Sequence, residues 1–503
     1  MVKILTTDQI RALDRYTIES EPISSIDLME RACQAFANWF VSQYPSKIVG
    51  IVCGTGNNGG DGLGIARILK EKGFSIHVWV VRGDSKETAD FKTNLHRLAG
   101  KLTVSEIISP TELPDFGSCD VLIDAIFGSG LSRPVAGVYA CVIEQMNGAS
   151  AIKVAVDIPS GLLADHPSKG SIVEAHQTVS FQTPKLAFLL PQNRHFVGNW
   201  TALDIGLAKG YINQLEGSNF LVDEDDVKKI LRPRLRFSHK GTYGHALLIA
   251  GSHGKMGAGV LSARAALRSG VGLLTVHVPI SGYEILQSSV PEAMTSIDEN
   301  ENFFSSIPQA LNYQSIGIGP GLGKNPKSAA ALGRLLKDYA KPMVIDADAL
   351  NLISENRELI SLIPAGSILT PHPKEFERLV GSWANDFERL EKQRNFSNEK
   401  KAIVVLKGAF TSISTPSATV SFNPTGNAGM ATGGSGDVLT GVLTGLLAQG
   451  YPSEQAGVLG VYLHGLSGDL AVQQASMNSL IASDLIDFLP GAFRKIQKEK
   501  PIV

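Results

Sequence analysis

Short apolar runs rich in β-formers alternate along the chain with amphipathic stretches of helical spacing, in two successive series. Up to about residue 215 the runs are IVGIVCG (48–54), SIHVWVV (75–81), VLIDAIFG (121–128), IKVAVDIPSG (152–161) and TVSFQTPK (178–185). Beyond it they are HALLIAG (245–251), LLTVHVP (273–279), SIGIGPGLG (315–323), PMVIDADAL (342–350), SILTPHP (367–373) and AIVVLKG (402–408). Strands alternating with helices predict an α/β protein with two mostly parallel sheets, each covered on both faces. The stretch KGYINQLEGSNFLVDEDDVKK has turn formers and little periodicity, so it reads as the connection between a domain over 1–215 and a domain over 216–503. The last third reads as mainly helical. No residue-level repeat relates the halves, which argues against a duplication.

Composition supports this division. A chain of 503 residues exceeds what one core usually supports. Its formal net charge of −2 gives no argument for nucleic acid or an anionic membrane as partner. Cys33, Cys53, Cys119 and Cys141 form no CxxC pair and have no histidine at zinc-ligand spacing, which predicts buried reduced thiols and a reducing compartment. The start, MVKILTTDQIRALDR, has charge and helical spacing instead of an apolar leader, and no apolar run reaches the ~18 residues of a membrane span. The expectation is a soluble cytoplasmic protein acting on small molecules, as a homo-oligomer.

In the first half, the strand at 48–54 runs into GTGNNGGDGLGIARILK and satisfies G-x-G-x-x-G at Gly54, Gly56 and Gly59. This is the dinucleotide fingerprint in its strand–turn–helix context and predicts a Rossmann-like three-layer domain. Asn57, Asn58 and Asp61 crowd polar oxygens into a loop that ordinarily offers bare N–H groups to phosphate. Asp61 would repel phosphate unless a cation or a polar partner offsets it. Asp124 and Asp157 close strands and arrive at the same carboxyl edge as the glycine loop, so three acids, Asp61 among them, and an Asn suit a hard cation and a polar ligand. The plainer reading is that both acids merely cap the loops or helices next in the chain. Loop 127–137, FGSGLSRPVAG, adds glycines for close approach. Lys185, in QTPK, is a weak acid/base candidate, with a solvated lysine at a strand end the plainer reading.

In the second half, NAGMATGGSGD (427–437) leads straight into the periodic VLTGVLTGLLAQG. A helix opening in Gly-Ser-Gly offers unpaired N–H groups to an anion, and Asp437 sets a carboxylate beside them. Donors for a phosphate with a base alongside point to phosphoryl transfer. GSHGKMGAG (251–259) and LKGAFTSI (406–413) also follow strands, and none of the three segments is a Walker loop. His372 lies between two prolines, and Gly319, Gly321 and Gly323 mark a tight strand exit.

Together GNNGGDG (56–62), VDIPSG (156–161), GSHGKMGA (251–258), IGPGLG (318–323), TPHPKEF (370–376), LKGAFT (406–411) and GNAGMATGGSGDVL (426–439) resemble the bifunctional NAD(P)H-hydrate repair enzymes. In that family an N-terminal epimerase domain is fused to a C-terminal dehydratase of ribokinase-like fold. The resemblance implies that Asn57, Asn58, Gly59, Gly60 and Asp61, the loop Gly128, Ser129, Gly130, Leu131, Ser132, Arg133 and Pro134, and Asp157 contact hydrated NADPH or NADH. It implies potassium at Asn58, Asp124 and Ser160, with Asp157 as the leading acid/base of epimerisation. In the second domain it implies an ADP site at Lys407, Gly408, Ala409, Phe410 and Thr411 with Asn427, Ala428, Gly429, Met430, Ala431, Thr432, Gly433, Gly434, Ser435 and Gly436. Ala258, Gly321, His372 and Asp437 would touch the hydrate, Asp437 as the catalytic group, and magnesium would accompany the nucleotide. The expected outcome is interconversion of R and S hydrates and ADP-dependent dehydration of the S form to NAD(P)H, AMP and phosphate. The alternative is a ribokinase-type kinase of a small metabolite fused to a non-catalytic nucleotide-binding module.

Overall fold

In the computed structural model, which describes residues 1–45, 47–83, 86–308 and 311–497, the long apolar runs become strands of two separate sheets. The chain forms two compact units, one of Lys3–Gly217 with Asn385–Phe387 and one of Met1–Val2, Ser218–Ala384 and the chain from Glu388 on.

The first unit holds a wholly parallel sheet, in the order Val104–Ile107, Ser75–Val81, Ile48–Cys53, Val121–Ala125, Ile152–Val156, Gln177–Phe181, Asn199–Leu203. Its central strands are near-continuous in Val and Ile because helices cover both faces; Val49, Ile51, Val121, Ile123 and Val154 are all buried. Strand order reverses between Ile48–Cys53 and Val121–Ala125, and such a switch point opens a crevice outside the carboxyl ends. The register sets Val52 beside Asp124 and Cys53 beside Ala125, so the glycine loop and the acidic strand reach that crevice together.

The helix Asn57–Glu71 begins at Gly56 with no side-chain cap. A Cβ on Gly54 would lie 2.2 Å from the Ile126 carbonyl oxygen, and one on Gly59 would lie 1.9 Å from that of Gly54. A Cβ on Gly56 would meet nothing within 4 Å. Two glycines of the fingerprint therefore allow backbone to touch backbone, while Gly56 faces open space.

The second sheet runs Asn219–Leu221, Val420–Phe422, Ser412–Ser414, Ile403–Leu406, Ile368–Leu369, Met343–Ile345, Ser315–Ile318, His245–Ile249, Leu273–Val278, Met294–Ile297. It is parallel from Ile403–Leu406 to Met294–Ile297, and Ser412–Ser414 is antiparallel to both its neighbours. The buried helix Ser435–Ala448 lies against the sheet and against the helix Met256–Arg268. A Cβ at Gly441 would sit 2.1 Å from the Ser262 carbonyl oxygen, and one at Gly445 would sit 2.0 Å from Ser269 Oγ. Below them Gly317, in its strand, makes room for Thr444 Oγ1, which a Cβ would approach to 2.1 Å. The glycines of the recurrent Thr-Gly in this helix thus serve close packing.

The segment read as a connection is largely regular. It contains the helix Lys209–Gln214, the strand Asn219–Leu221 and the helix Glu224–Ile230, whose first turn is capped by Asp223 accepting from Asp226 N at 2.8 Å. A three-residue strand is too short to display a period and leaves no signal in the sequence. The other strands without one, Val104–Ile107, Asn199–Leu203, Met294–Ile297, Ser412–Ser414 and Val420–Phe422, are likewise short or at a sheet edge. Cys33, Cys53 and Cys119 are buried thiols and Cys141 is partly buried; none is in a disulfide.

Gly59→Ala forces a Cβ onto a backbone oxygen and should destabilise the chain by about 1–3 kcal/mol. Gly56→Ala should leave the first unit's thermal midpoint within about 2 °C, since the site is open. Differential scanning calorimetry of both variants decides whether these glycines serve packing.

Candidate functional site

A cavity of about 1370 Å³ opens at the carboxyl edge of the first sheet. Asn57, Asn58, Asp61, the whole loop from Gly128 to Pro134, and Asp157 line it. Gly59 and Gly60 lie behind this wall, where Gly60 accepts from Asn94 Nδ2 at 2.9 Å. Asp124 and Ser160 lie fully buried. Ser160 donates through N at 2.7 Å and Oγ at 2.5 Å to the Asp124 carboxylate, which also takes the Ile126 N–H. Burial lifts Asp124 to about 6 against the pull of these bonds. Ser160 Oγ also accepts from Phe127 N at 2.8 Å, and Asn58 Nδ2 is buried with no hydrogen-bond partner.

Asp157 follows the strand Ile152–Val156 directly and takes a left-handed backbone, φ 64°, a conformation a non-glycine residue adopts at a cost of about 1–3 kcal/mol. Its N–H is tied to the Val179 carbonyl at 2.8 Å. Its Oδ1 meets Lys185 Nζ at 2.9 Å, and Ser129 N reaches Oδ2 at 3.4 Å. Burial opposes ionisation, but the Lys185 charge and the hydrogen bonds from Lys185, Ser129 and Phe181 outweigh it and hold Asp157 below the usual carboxylate range. The reading of Lys185 as solvated is wrong: it is 1% exposed, and its ammonium also bonds Ser180 Oγ, Phe181 O and Thr183 O. The turn from the strand Gln177–Phe181 to Lys185 folds the side chain back under its own strand, which linear spacing does not reveal.

A further acid, Asp14, reaches this cavity from the helix Thr7–Ser20 and carries no signal in the sequence. Burial, then the charge of Asp157, raises it to about 6. Asp61 stands well above the normal range through burial and then the charges of Asp157, Asp14 and Asp90.

In the second unit the loops after successive parallel strands converge. The helix Ser435–Ala448 starts at Gly434, left-handed at φ 90°, with no side-chain cap; Ser435 N reaches the Thr432 carbonyl at 3.4 Å, and among the described residues the N–H groups of Gly436 and Asp437 are open to an anion. His464, on the helix Ser453–Ala471, holds the turn from below with Nε2 2.9 Å from the Ser435 carbonyl oxygen. That bond requires a proton on Nε2, and burial drops the imidazole to about 4, so it stays neutral. Asp437 sits in the first turn, half-buried. Among the described residues its carboxylate has no hydrogen-bond or ion-pair partner. Burial, then the Asp346 charge, lifts it to about 6 despite Lys407.

Lys407 Nζ lies 3.0 Å from Asp346 Oδ1, and Thr440 Oγ1 donates to Asp346 Oδ2 at 2.7 Å. A Cβ on Gly436 would be 3.4 Å from Lys407 Nζ, which places the lysine against the anion turn. Asp346 and Asp348, hidden in the sequence within DADAL, stand where the strand Met343–Ile345 exits into the helix Ala347–Glu355. The rule applied to Asp124 and Asp157, an acid at a parallel strand's carboxyl end, would have found them. Asp348 takes the Gly323 N–H at 2.8 Å and pairs with Lys255 at 3.5 Å. Ala258 and Gly321 adjoin, a Cβ on the glycine falling 3.1 Å from that of Ala258.

Several candidates build the loops themselves. Thr411 Oγ1 closes a turn on Gly408, and Asn427 links Gly429 N to Asp469. His372 caps the helix Pro373–Val380, its Nδ1 accepting from Lys374 N and Glu375 N. The burial of its ring lowers its pKa, with Nε2 left 3.4 Å from Glu375. These loops present mainly backbone to whatever they bind.

Comparison with known proteins assigns families to both units. Residues 246–491 match the NAD(P)H-hydrate dehydratase family, and residues 25–187 match the YjeF-related protein N-terminus family. The chain is 36% identical to a bifunctional NAD(P)H-hydrate repair enzyme of Moorella thermoacetica, over 99% of this chain and 97% of that protein. A ribokinase-like superfamily protein of Enterococcus faecalis superposes with a TM-score of 0.50 at 27% identity, covering 56% of this chain and 98% of that one. An ADP/ATP-dependent NAD(P)H-hydrate dehydratase of Bacillus subtilis, co-crystallised with ATP and Mg2+, gives a TM-score of 0.48 at 32% identity, covering 55% and 99%.

Asp437 is protonated more readily in the folded chain than in the unfolded one, so folding stability falls as pH rises from the ordinary carboxylate range through about 6. Asp437→Asn should therefore raise the unfolding midpoint at pH 7–8. The gain should shrink as pH falls and vanish near pH 4, as thermal melts across that window would show.

Proposed function

The chain belongs to the family of bifunctional NAD(P)H-hydrate repair enzymes, and from that premise we propose that its two sites work in series on hydrated NADH and NADPH. Residues 1–215 carry the epimerase, which interconverts the R and S hydrates. Residues 216–503 carry the dehydratase, which consumes the S form with ADP and yields NAD(P)H, AMP and phosphate. The observation that carries the reading is the unpartnered Asp437 carboxylate beside an uncapped helix N-terminus and Lys407.

Dehydration at C6 of the ring requires turning hydroxide into a better leaving group. Asp437, ionised above about 6, accepts the C6 hydroxyl proton while that oxygen attacks the terminal phosphorus of ADP. The bond from phosphorus to the AMP oxygen breaks, and AMP departs with the bonding pair. The open N–H groups of Gly436 and Asp437 and the Lys407 ammonium face the charge that builds on the transferring phosphoryl. The C6–O bond then breaks with its electrons leaving on phosphate, helped by the N1 lone pair. Loss of a C5 proton restores the dihydropyridine. Lys407–Thr411 and Asn427–Gly436 supply the nucleotide's backbone contacts, and Ala258, Gly321 and His372 border the hydrate.

Among the described residues no group of three His, Cys, Asp or Glu side chains can hold a metal, and Asp346 and Asp348 are already bonded. Magnesium would come with the nucleotide phosphates and neutralise their charge. In the first unit, the buried carboxylate of Asp124, Ser160 Oγ and the orphaned Asn58 amide, whose oxygen and nitrogen are interchangeable by a flip, suit one monovalent cation such as potassium. It would fix the floor of the cleft and offset the acids around the ligand. Asp157, ionised and held by Lys185, serves as base.

With mixed R and S NADPH hydrate, ADP and magnesium, the purified chain should restore the full reduced-nicotinamide absorbance. Recovery of half would leave only the dehydratase, and none with ADP or ATP would sink the reading. Asp437→Asn should abolish dehydration while R and S continue to interconvert when followed by chromatography; normal dehydration in that variant would remove Asp437 from its role.

A further inference from the structure

Of the acids that line the cleft, Asp61, Asp90 and Asp157 each have a side-chain partner among the described residues, and Asp14 has none. Its helix, Thr7–Ser20, is opened by a capping box at Thr6 and pinned along its length. Thr7 donates through both N and Oγ1 to Asp165 Oδ2 at 2.8 Å, and Arg11 Nη2 reaches the Gly130 carbonyl at 3.3 Å. Thr17, buried in the opposite face, takes the Ala208 N–H at 3.1 Å. The remaining face, Ile10, Arg11, Asp14 and Ile18, is spaced by three and four residues and lines the cavity. Asp14 thus stands on a fixed helix between apolar neighbours, with no hydrogen bond or ion pair to any described residue. Asp157 and Lys185, a carboxylate already bonded to its counter-ion, line the same cavity.

We propose that Asp14 is the proton donor of epimerisation, acting opposite Asp157 as base; this rests on the epimerase reading of the first unit. R and S hydrates differ at C6, so their interconversion by this route breaks the C6–O bond on one face and forms it on the other. The Asp14 carboxylic acid gives its proton to the C6 hydroxyl. The C6–O bond breaks, its electron pair leaves in a water molecule, and the N1 lone pair becomes an N1=C6 bond in a cationic ring. A second water attacks C6 from the opposite face, the π pair returns to N1, and Asp157 takes the proton that this water releases. One water leaves, one enters, and one proton has moved from Asp14 to Asp157.

The environments of the pair suit this division. Lys185 holds Asp157 below the usual carboxylate range, whereas burial, then the negative charge of Asp157, lifts Asp14 to about 6, so Asp14 is the more readily protonated of the two. Two carboxyl groups pushed in opposite directions supply one acid and one base at the same pH. Return of the proton through cleft water runs from the more acidic group to the less acidic one, so the cycle resets downhill. Burial, then the charge of Asp157, also pushes Asp61 upward, but its Oδ1 is shared with Cys33 Sγ at 3.9 Å and its carbonyl takes the same thiol at 3.3 Å.

The test uses the full chain with R hydrate in 18O-labelled water and no ADP, following R-to-S conversion and label uptake by chiral chromatography and mass spectrometry. The unmodified chain should interconvert the epimers with uptake of 18O at C6. Asp14→Asn should lower kcat about 100-fold or more with KM within about 3-fold, and Asp14→Glu should recover part of the loss. Thermal melts should show both variants folded, because no protein bond is removed. No conversion by the unmodified chain would defeat the epimerase reading itself. Conversion by the unmodified chain with kcat preserved in Asp14→Asn, and lost instead in Asp61→Asn, would overturn the proposal alone. So would epimerisation without 18O uptake, since the C6–N1 bond would then be the one that opens.

Discussion

Both sites depend on a geometric constraint: a parallel sheet delivers the end of every strand to the same edge. Side chains remote in sequence reach that edge without any loop having to search for its partner. In the first unit this assembles Gly54, Asp124 and Asp157 from adjoining strands. In the second it assembles the exits at Gly251, Gly319, Asp346, Thr370 and Lys407 from successive parallel strands. The edge is also where backbone N–H groups lose their ladder partners, so it gathers donors together with acids. Anionic ligands and carboxylates then compete for one narrow zone, and the electrostatics must be settled residue by residue.

The settlement takes two forms. Asp157 and Asp346 are matched to buried or half-buried lysines and to hydroxyl or amide donors, which fixes their charge and position. Asp14 and Asp437 are left without partners and are pushed toward neutrality by burial and by the first kind. A paired acid beside an unpaired one recurs in both units, although the sheets and the surrounding loops differ. Each pair sets a structural charge next to a group free to exchange its proton. The cost of keeping that free group in a poorly solvated place falls on folding, a common tension at working sites.

Much of this was legible because parallel strands write themselves as uninterrupted apolar runs. The buried strands of both sheets, the glycine fingerprint and the turn before Asp437 all stood out. Edge strands such as Met294–Ile297 and Val104–Ile107 did not, since they are short and half exposed. The acids at 346 and 348 followed the same strand-exit rule as Asp157 but were hidden inside an apparently longer strand, which ends at Ile345. Lys185 misled because a lysine's partner is set by how the chain folds back, and Asp14 because an acid on an amphipathic helix resembles an ordinary solvent-facing residue. Gly54 and Gly59 show the converse: their place in a motif was evident, but their work of backbone contact was visible only in three dimensions.

The glycine contacts of the helix Ser435–Ala448 have one more consequence. With Gly441 against the Ser262 backbone, Gly445 against Ser269 and Thr444 seated over Gly317, the helix cannot slide or roll without steric collision. The Ser435 carbonyl is fastened to His464 beneath it. The anion turn is therefore ordered before any ligand arrives, and its conformational entropy is lost during folding instead of during each encounter. An anion docking at this turn would meet a receptor that is already still, so the adjustment on binding would be left to the ligand.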